Sequence, residues 1–203
     1  MTKSNDKERK VIVLIFIIFA ILSLLILFML IKNGFFSSNF YFNHIPITYS
    51  IEPGAGSNAR VCSDAQIERI DEAFRTIQNE ASEAIIFLKV LPGKEDISLY
   101  CAGIENGNLT YSAGSEFKIA TFAVTEGESQ FSHRGNIIQH GTITFYEHRN
   151  CGTFPDVEIH EILHILGFVH ANDQKSIMYP LSLVCDRDSI DKGILEEIKN
   201  TYN

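Results

Sequence analysis

Beyond Lys32 the sequence has no basic stripe. Nucleic acid is held through clustered Lys and Arg against the phosphate backbone, so that class of partner is excluded. The length of 203 residues leaves no room for two large domains, although it is ample for one catalytic domain with a real core. No internal repeat and no low-complexity segment occurs outside one N-terminal apolar run, so repeat architectures are excluded too.

What charge there is falls unevenly. The formal total is -8, but residues 1–32 hold five Lys/Arg and two Asp/Glu, leaving 12 and 23 for the remainder, a balance of -11. Such acidity serves solubility and points to no single partner.

The apolar run is Val11 to Ile31, 21 residues broken only by Ser23. As a helix it would rise about 30 Å, the thickness of a hydrocarbon core. Lys3, Lys7, Arg9 and Lys10 precede it, and Lys32 alone follows. Basic flanks stay on the cytoplasmic side, so the N-terminus is expected inside and the rest outside. A cleaved signal peptide is the alternative. Its apolar region is usually about 7–15 residues and ends at small residues, whereas this run is longer and Gly34-Phe35-Phe36-Ser37-Ser38 makes a poor cleavage site. The expected organisation is a cytoplasmic N-terminus over 1–10, a transmembrane helix over 11–32, a stem over 33–43 and one domain over 44–203. The stem carries Phe35, Phe36, Phe40, Tyr41 and Phe42, which could sit at a membrane interface or pack on the domain.

Within the domain, Ile45–Ile51 alternates as a strand and Pro53-Gly54-Ala55-Gly56 closes it as a loop. Ser63 and Gln66 form a capping-box pattern ahead of Ile67, Ile70, Ala73, Phe74 and Ile77, which predicts an amphipathic helix from about Asp64 to about Glu80. Strands are expected at Ile85–Val90, Ile97–Tyr100, Phe117–Val124 and Thr142–Tyr146. A helix leads to Gly167, and a last one carries Ile190, Ile194, Leu195 and Ile198. The order implies an α+β fold around one mixed sheet.

The decisive segment is His160-Glu161-Ile162-Leu163-His164-Ile165-Leu166-Gly167-Phe168-Val169-His170. His160 and His164 stand at i and i+4 of a helix, so both imidazoles leave one face and can share a metal. Gly167 can turn left-handed, stop the helix and let the chain bring back His170 as a third ligand. Three protein nitrogens leave a fourth position for water, as a catalytic zinc requires and a structural zinc does not. The first five residues alone are a weak signal. Gly167 and His170 at their spacings, with Met178 eight residues further on, make it a specific one. Glu161 argues against a purely structural zinc, which has no use for that carboxylate.

These residues, with Ser176-Ile177-Met178-Tyr179-Pro180 after them, are similar to the metzincin zinc peptidases. The segment from about Ile45 to the end resembles a short matrixin-like catalytic domain. The resemblance implies a twisted mixed sheet, a zinc-binding active-site helix, a C-terminal helix, Zn2+ held by His160, His164 and His170, Glu161 as the catalytic base, and Met178 as a structural floor. Pro180 stands where astacins carry their Tyr, so Tyr179 is given no metal contact. No Cys-bearing propeptide precedes the domain, and Cys151-Gly152-Thr153-Phe154-Pro155-Asp156 reads as a loop. His133, His140 and His148 lack the Asp pattern of matrixin structural sites and read as surface histidines.

Four cysteines, Cys62, Cys101, Cys151 and Cys185, allow three pairings; Cys62–Cys101 with Cys151–Cys185 is favoured, unpaired buried thiols being the alternative. Asn108-Leu109-Thr110 is a glycosylation sequon. The functional expectation is a membrane-anchored endopeptidase that binds peptide extended along a sheet edge within Ala120–Thr125. A zinc protein that only binds peptides, and a zinc hydrolase of a non-peptide amide, are the competing readings.

Overall fold

The computed structural model describes residues 16, 18–19, 21–23, 40–52, 59–102, 118–124, 127–146, 153–180 and 187–203, with the backbone alone for 59–60 and 118–124. Outside these residues lie most of the apolar run, the Pro53–Gly56 loop, the Asn108 sequon, His148 and the Cys151–Cys185 pairing. The chain forms two compact units, 1–37 and 38–203. In the first, Phe16, Ile18, Phe19, Ile21, Leu22 and Ser23 are helical, and all six side chains are exposed. Ser23 Oγ donates to the Phe19 carbonyl at 2.8 Å, one turn back. Among the described residues, no helix is long and apolar enough to cross a membrane.

The second unit is built on one seven-stranded sheet. The strands are β1 (Ile47–Ile51), β2 (Ala59–Arg60), β3 (Phe87–Lys89), β4 (Ile97–Ala102), β5 (Lys118–Val124), β6 (Gly127–Arg134) and β7 (Ile137–Tyr146). Their order is β3-β1-β4-β7-β6-β5, with β2 added against β4. Pairings are parallel from β3 to β7 and antiparallel from β7 through β6 to β5, so the sheet is mixed as expected. Among the described residues, three helices complete the unit: α1 (Asp64–Glu80), α2 (Asp156–Ile165) and α3 (Lys192–Tyr202).

The helix over Asp64–Glu80 has the expected bounds and the reciprocal capping box of Ser63 and Gln66. Its buried stripe is Ile70, Ala73, Phe74 and Ile77. Phe74 stacks on Tyr49 of β1 with ring centroids 3.9 Å apart. Burying each such side chain contributes roughly 1.5–3 kcal/mol. A disulfide joins Cys62, just ahead of α1, to Cys101 of β4, which is the expected pairing.

Registers place the core in rows that run across the sheet. Tyr49, Ile97, Gly141 and Phe131 form one row, and Ile51, Leu99, Ile143 and Ser129 the next. Cys101, Phe145 and Gly127 form a third. Helix α1 covers the β1 end of this face and α2 the β6–β7 end. At Gly141 a Cβ would stand 2.5 Å from Ile165 Cγ2, so α2 lies closer to the sheet than a side chain there would permit.

Two departures from expectation stand out. β6 and β2 were not foreseen, because Gly-Glu-Ser-Gln-Phe-Ser-His-Arg has a single large apolar residue and β2 is two residues long. β7 begins five residues earlier than its apolar core suggests, since pairing with β6 carries it back to Ile137. Of the alternatives for the aromatic stem, Phe40 and Phe42 take packing on the domain. Phe42 is buried, and the Phe40 ring lies 5.2 Å from Phe131 and 4.4 Å from His133.

Candidate active site

Helix α2 is buried at all ten positions, with no face left to water. Half of its residues are Val, Ile or Leu and half are charged or His, so it can be sunk this way only if the polar members find partners. Glu158 finds Arg69 of α1, whose Nε donates to Oε1 at 3.0 Å and Nη2 to Oε2 at 3.1 Å. The same Nη2 donates to the Phe154 carbonyl at 3.2 Å, just before the helix. This forked pair fixes the entry of α2 against α1.

The exit is fixed by Gly167. Its φ of 92° is left-handed, a region that suits glycine. The Phe168 N–H returns to the Leu163 carbonyl at 3.0 Å and the Gly167 N–H to His164 at 2.9 Å, the two bonds of a Schellman stop. The chain reverses and delivers His170, as the motif spacing requires.

His160, His164 and His170 are thereby brought together. His164 Nε2 lies 3.0 Å from His160 Nε2 and 3.1 Å from His170 Nε2. Nitrogens about 2.0–2.1 Å from a tetrahedral zinc stand roughly 3.3 Å from one another, so the arrangement fits that metal. The outer nitrogens fit it as well. His160 Nδ1 donates to the Ile177 carbonyl at 2.6 Å and His164 Nδ1 to the Phe168 carbonyl at 2.7 Å. With Nδ1 carrying the proton, each Nε2 presents its lone pair to the shared point. Burial holds His160 down to about 4, and His164 well below its ordinary value. Burial lowers His170 also. All three are neutral at pH 7, as ligation demands. Among the described residues this is the one cluster of three or more metal-capable side chains. His133 and His140 are half-buried and belong to no such group.

Met178 is fully buried. Its N–H bonds Ser176 Oγ at 3.1 Å, and its carbonyl accepts from Ala171 N at 2.8 Å. Ile177, just before it, supplies the carbonyl that orients His160. Asp191, ahead of α3, ties the turn down by accepting from Ile177 N at 2.8 Å and Ser176 Oγ at 3.1 Å.

Glu161 is fully buried and lies against β6. Ser129 Oγ bonds its Oε2 and stands 3.1 Å from its main-chain carbonyl oxygen. A Cβ on Gly127 would come within 2.7 Å of Glu161 Cγ, so a side chain there would displace the Glu161 side chain from its present position. Ser129, Gly127, Arg69, Glu158 and Asp191 had no signal in the sequence, since each meets its partner across long stretches of chain.

A mixed sheet with a three-histidine helix-and-turn cluster and an adjacent carboxylate has the donor set and spacing that suit a zinc ion. A profile of the matrixins, a family of zinc-dependent peptidases, matches residues 41–202, and the chain belongs to that family. Among curated proteins, none matches it.

Proposed function

We propose that the protein is an endopeptidase that cuts peptide bonds outside a membrane, to which residues 11–32 anchor it. The observation that carries the peptidase reading is the convergence of His160, His164 and His170, with Glu161 next to the first of them on α2. In this reading the three histidines are the metal ligands and Met178 is structural. Zinc, when bound there, supplies a Lewis acid and a water with its pKa lowered toward about 7. Glu161 takes the water proton and delivers it to the leaving amine. The substrate lies extended along β5, the last strand in the sheet order, which is hydrogen-bonded to β6 on its other side. The main-chain bonds there are sequence-tolerant, in keeping with a peptide or protein substrate.

Two observations support the extracytoplasmic placement. The Val11–Ile31 run is long enough to span and is preceded by basic residues. The Cys62–Cys101 disulfide belongs to an oxidising compartment.

The test is incubation of the purified zinc-loaded chain with a diverse peptide mixture, with and without a chelator. Internal cleavage abolished by chelation is expected; intact peptides throughout would sink the reading. Protease added outside intact cells should reach residues beyond Asn33. Recovery of the domain from the medium, starting near residue 35–40, would show a cleaved signal instead of an anchor.

A further inference from the structure

Beyond the ligands and the base, β6 carries two residues whose identities only Glu161 explains. Ser129 is fully buried in a row that otherwise consists of Ile143, Leu99 and Ile51 among the described side chains. A hydroxyl in that row costs stability unless it is hydrogen-bonded. Its acceptors are both on Glu161, the carboxylate Oε2 and the main-chain oxygen. Two residues earlier on the same face, Gly127 leaves the space that the Glu161 side chain fills, where a Cβ would stand 2.7 Å from Cγ and 2.8 Å from Oε1. The alternate residue Glu128 points to the other face and is held by Tyr146 and Gln130. The pattern is therefore specific to the face that meets α2.

Resting on the peptidase reading above, we propose that Gly127 and Ser129 are positioning residues: glycine makes the seat for the Glu161 side chain and serine grips its carboxylate. Neither touches substrate. They act through Glu161, by removing alternative rotamers of a group that must stand within hydrogen-bond reach of a water. As a general base Glu161 acts in its ionised form, and a hydrogen bond from Ser129 to a charged group is of the strong kind. The strand therefore does two jobs at once. Its backbone holds β5, and its inward side chains hold the base.

The experiment uses the full chain in zinc-loaded and metal-free forms. Ser129→Ala, Ser129→Thr and Gly127→Ala are made alone, and Ser129→Ala also on a Glu161→Gln background. Ser129→Ala should keep its zinc and hold KM within about twofold, while kcat falls about tenfold or more, the value of one hydrogen bond to a charged group. Ser129→Thr, which restores the hydroxyl, should recover most of that loss. Gly127→Ala should retain zinc and lose kcat, because the Glu161 side chain must swing away. On the Glu161→Gln background Ser129→Ala should cost no further kcat, since the group it positions is already disabled. In the metal-free protein, the Tm losses of Ser129→Ala and Glu161→Gln should combine to less than their sum. Wild-type kcat in Ser129→Ala, the same tenfold loss repeated on Glu161→Gln, or additive Tm shifts would each overturn the proposal. A wild type that cleaves no peptide would sink the peptidase reading alone, and the Tm cycle would still decide whether Ser129 holds Glu161.

Discussion

The parallel half of the sheet and its antiparallel half are built for different purposes. In the parallel half, β1, β4 and β7 carry Ile47, Ile97, Leu99 and Ile143 inward, α1 lays an apolar stripe over them, and Cys62–Cys101 ties the two together. In the antiparallel half, β6 turns Gly127 and Ser129 toward α2, and the helix answers with Glu161. The first half is a core that any well-packed apolar set would serve. The second gives up apolar contact to hold one carboxylate. The comparison can be broken at the metal, at the base, at the joint between the halves, and in the scaffold.

The largest expected effect is at the metal. His164→Ala removes the central member of the proposed ligand set, whose Nε2 faces both other histidines. Zinc content by elemental analysis should fall from about one per chain toward none, and activity with it. Some stability should go too, because metal binding is coupled to folding. Full zinc content in this variant would break the ligand assignment.

Next is the base. Glu161→Gln keeps the shape of the side chain but cannot accept a proton. kcat should fall by about 10²–10⁴-fold, while zinc content and peptide affinity stay near wild type. Cleavage at the wild-type rate would remove Glu161 from the mechanism. Loss of zinc would make it part of the metal's ligand set.

The joint between the halves is Arg69. Arg69→Ala leaves Glu158 buried without its forked partner. Breaking such a pair costs about 3–5 kcal/mol, which a urea titration of the metal-free protein would read as a lower midpoint at unchanged slope. A midpoint within error of wild type would mean that α1 does not brace α2. In the scaffold, Cys62→Ala with Cys101→Ala should cost roughly 2–4 kcal/mol, from a cross-link 39 residues long. kcat and KM of the folded fraction should not move. A kcat change would show that the two halves are not separable.

The same division explains what the sequence disclosed. Helix α1 was legible to its end residues, because a capping box and a 3.6-residue period are local signals. The zinc cluster was legible because a helix, a glycine stop and a short return place three histidines with no help from afar. β6 was not. Its period is carried by glycine and serine, whose inward facing is unremarkable until α2 supplies Glu161, 32 residues from Ser129. Arg69 with Glu158 spans 89 residues, and Asp191 reaches back 14 to Ile177. Contacts of that kind leave no periodic trace in the chain.

The smallest effect per group is in pH, and it belongs to the site half alone. Burial lowers His160 to about 4 from an ordinary 6.5, so the folded state disfavours its charged form. Below pH 6.5 the unfolded chain binds a proton that the metal-free native state refuses. Stability therefore rises with pH between about 4 and 6.5, and is lost as pH falls through that window. At pH 5.5 the cost from His160 is on the order of 1 kcal/mol relative to pH 7. His164 and His170, lowered in the same direction, add to it. The Tm of the chelator-treated protein should decline from pH 7 to pH 5.5, and His160→Gln should flatten that decline. A His160→Gln protein with the wild-type slope would show that His160 does not carry the pH response.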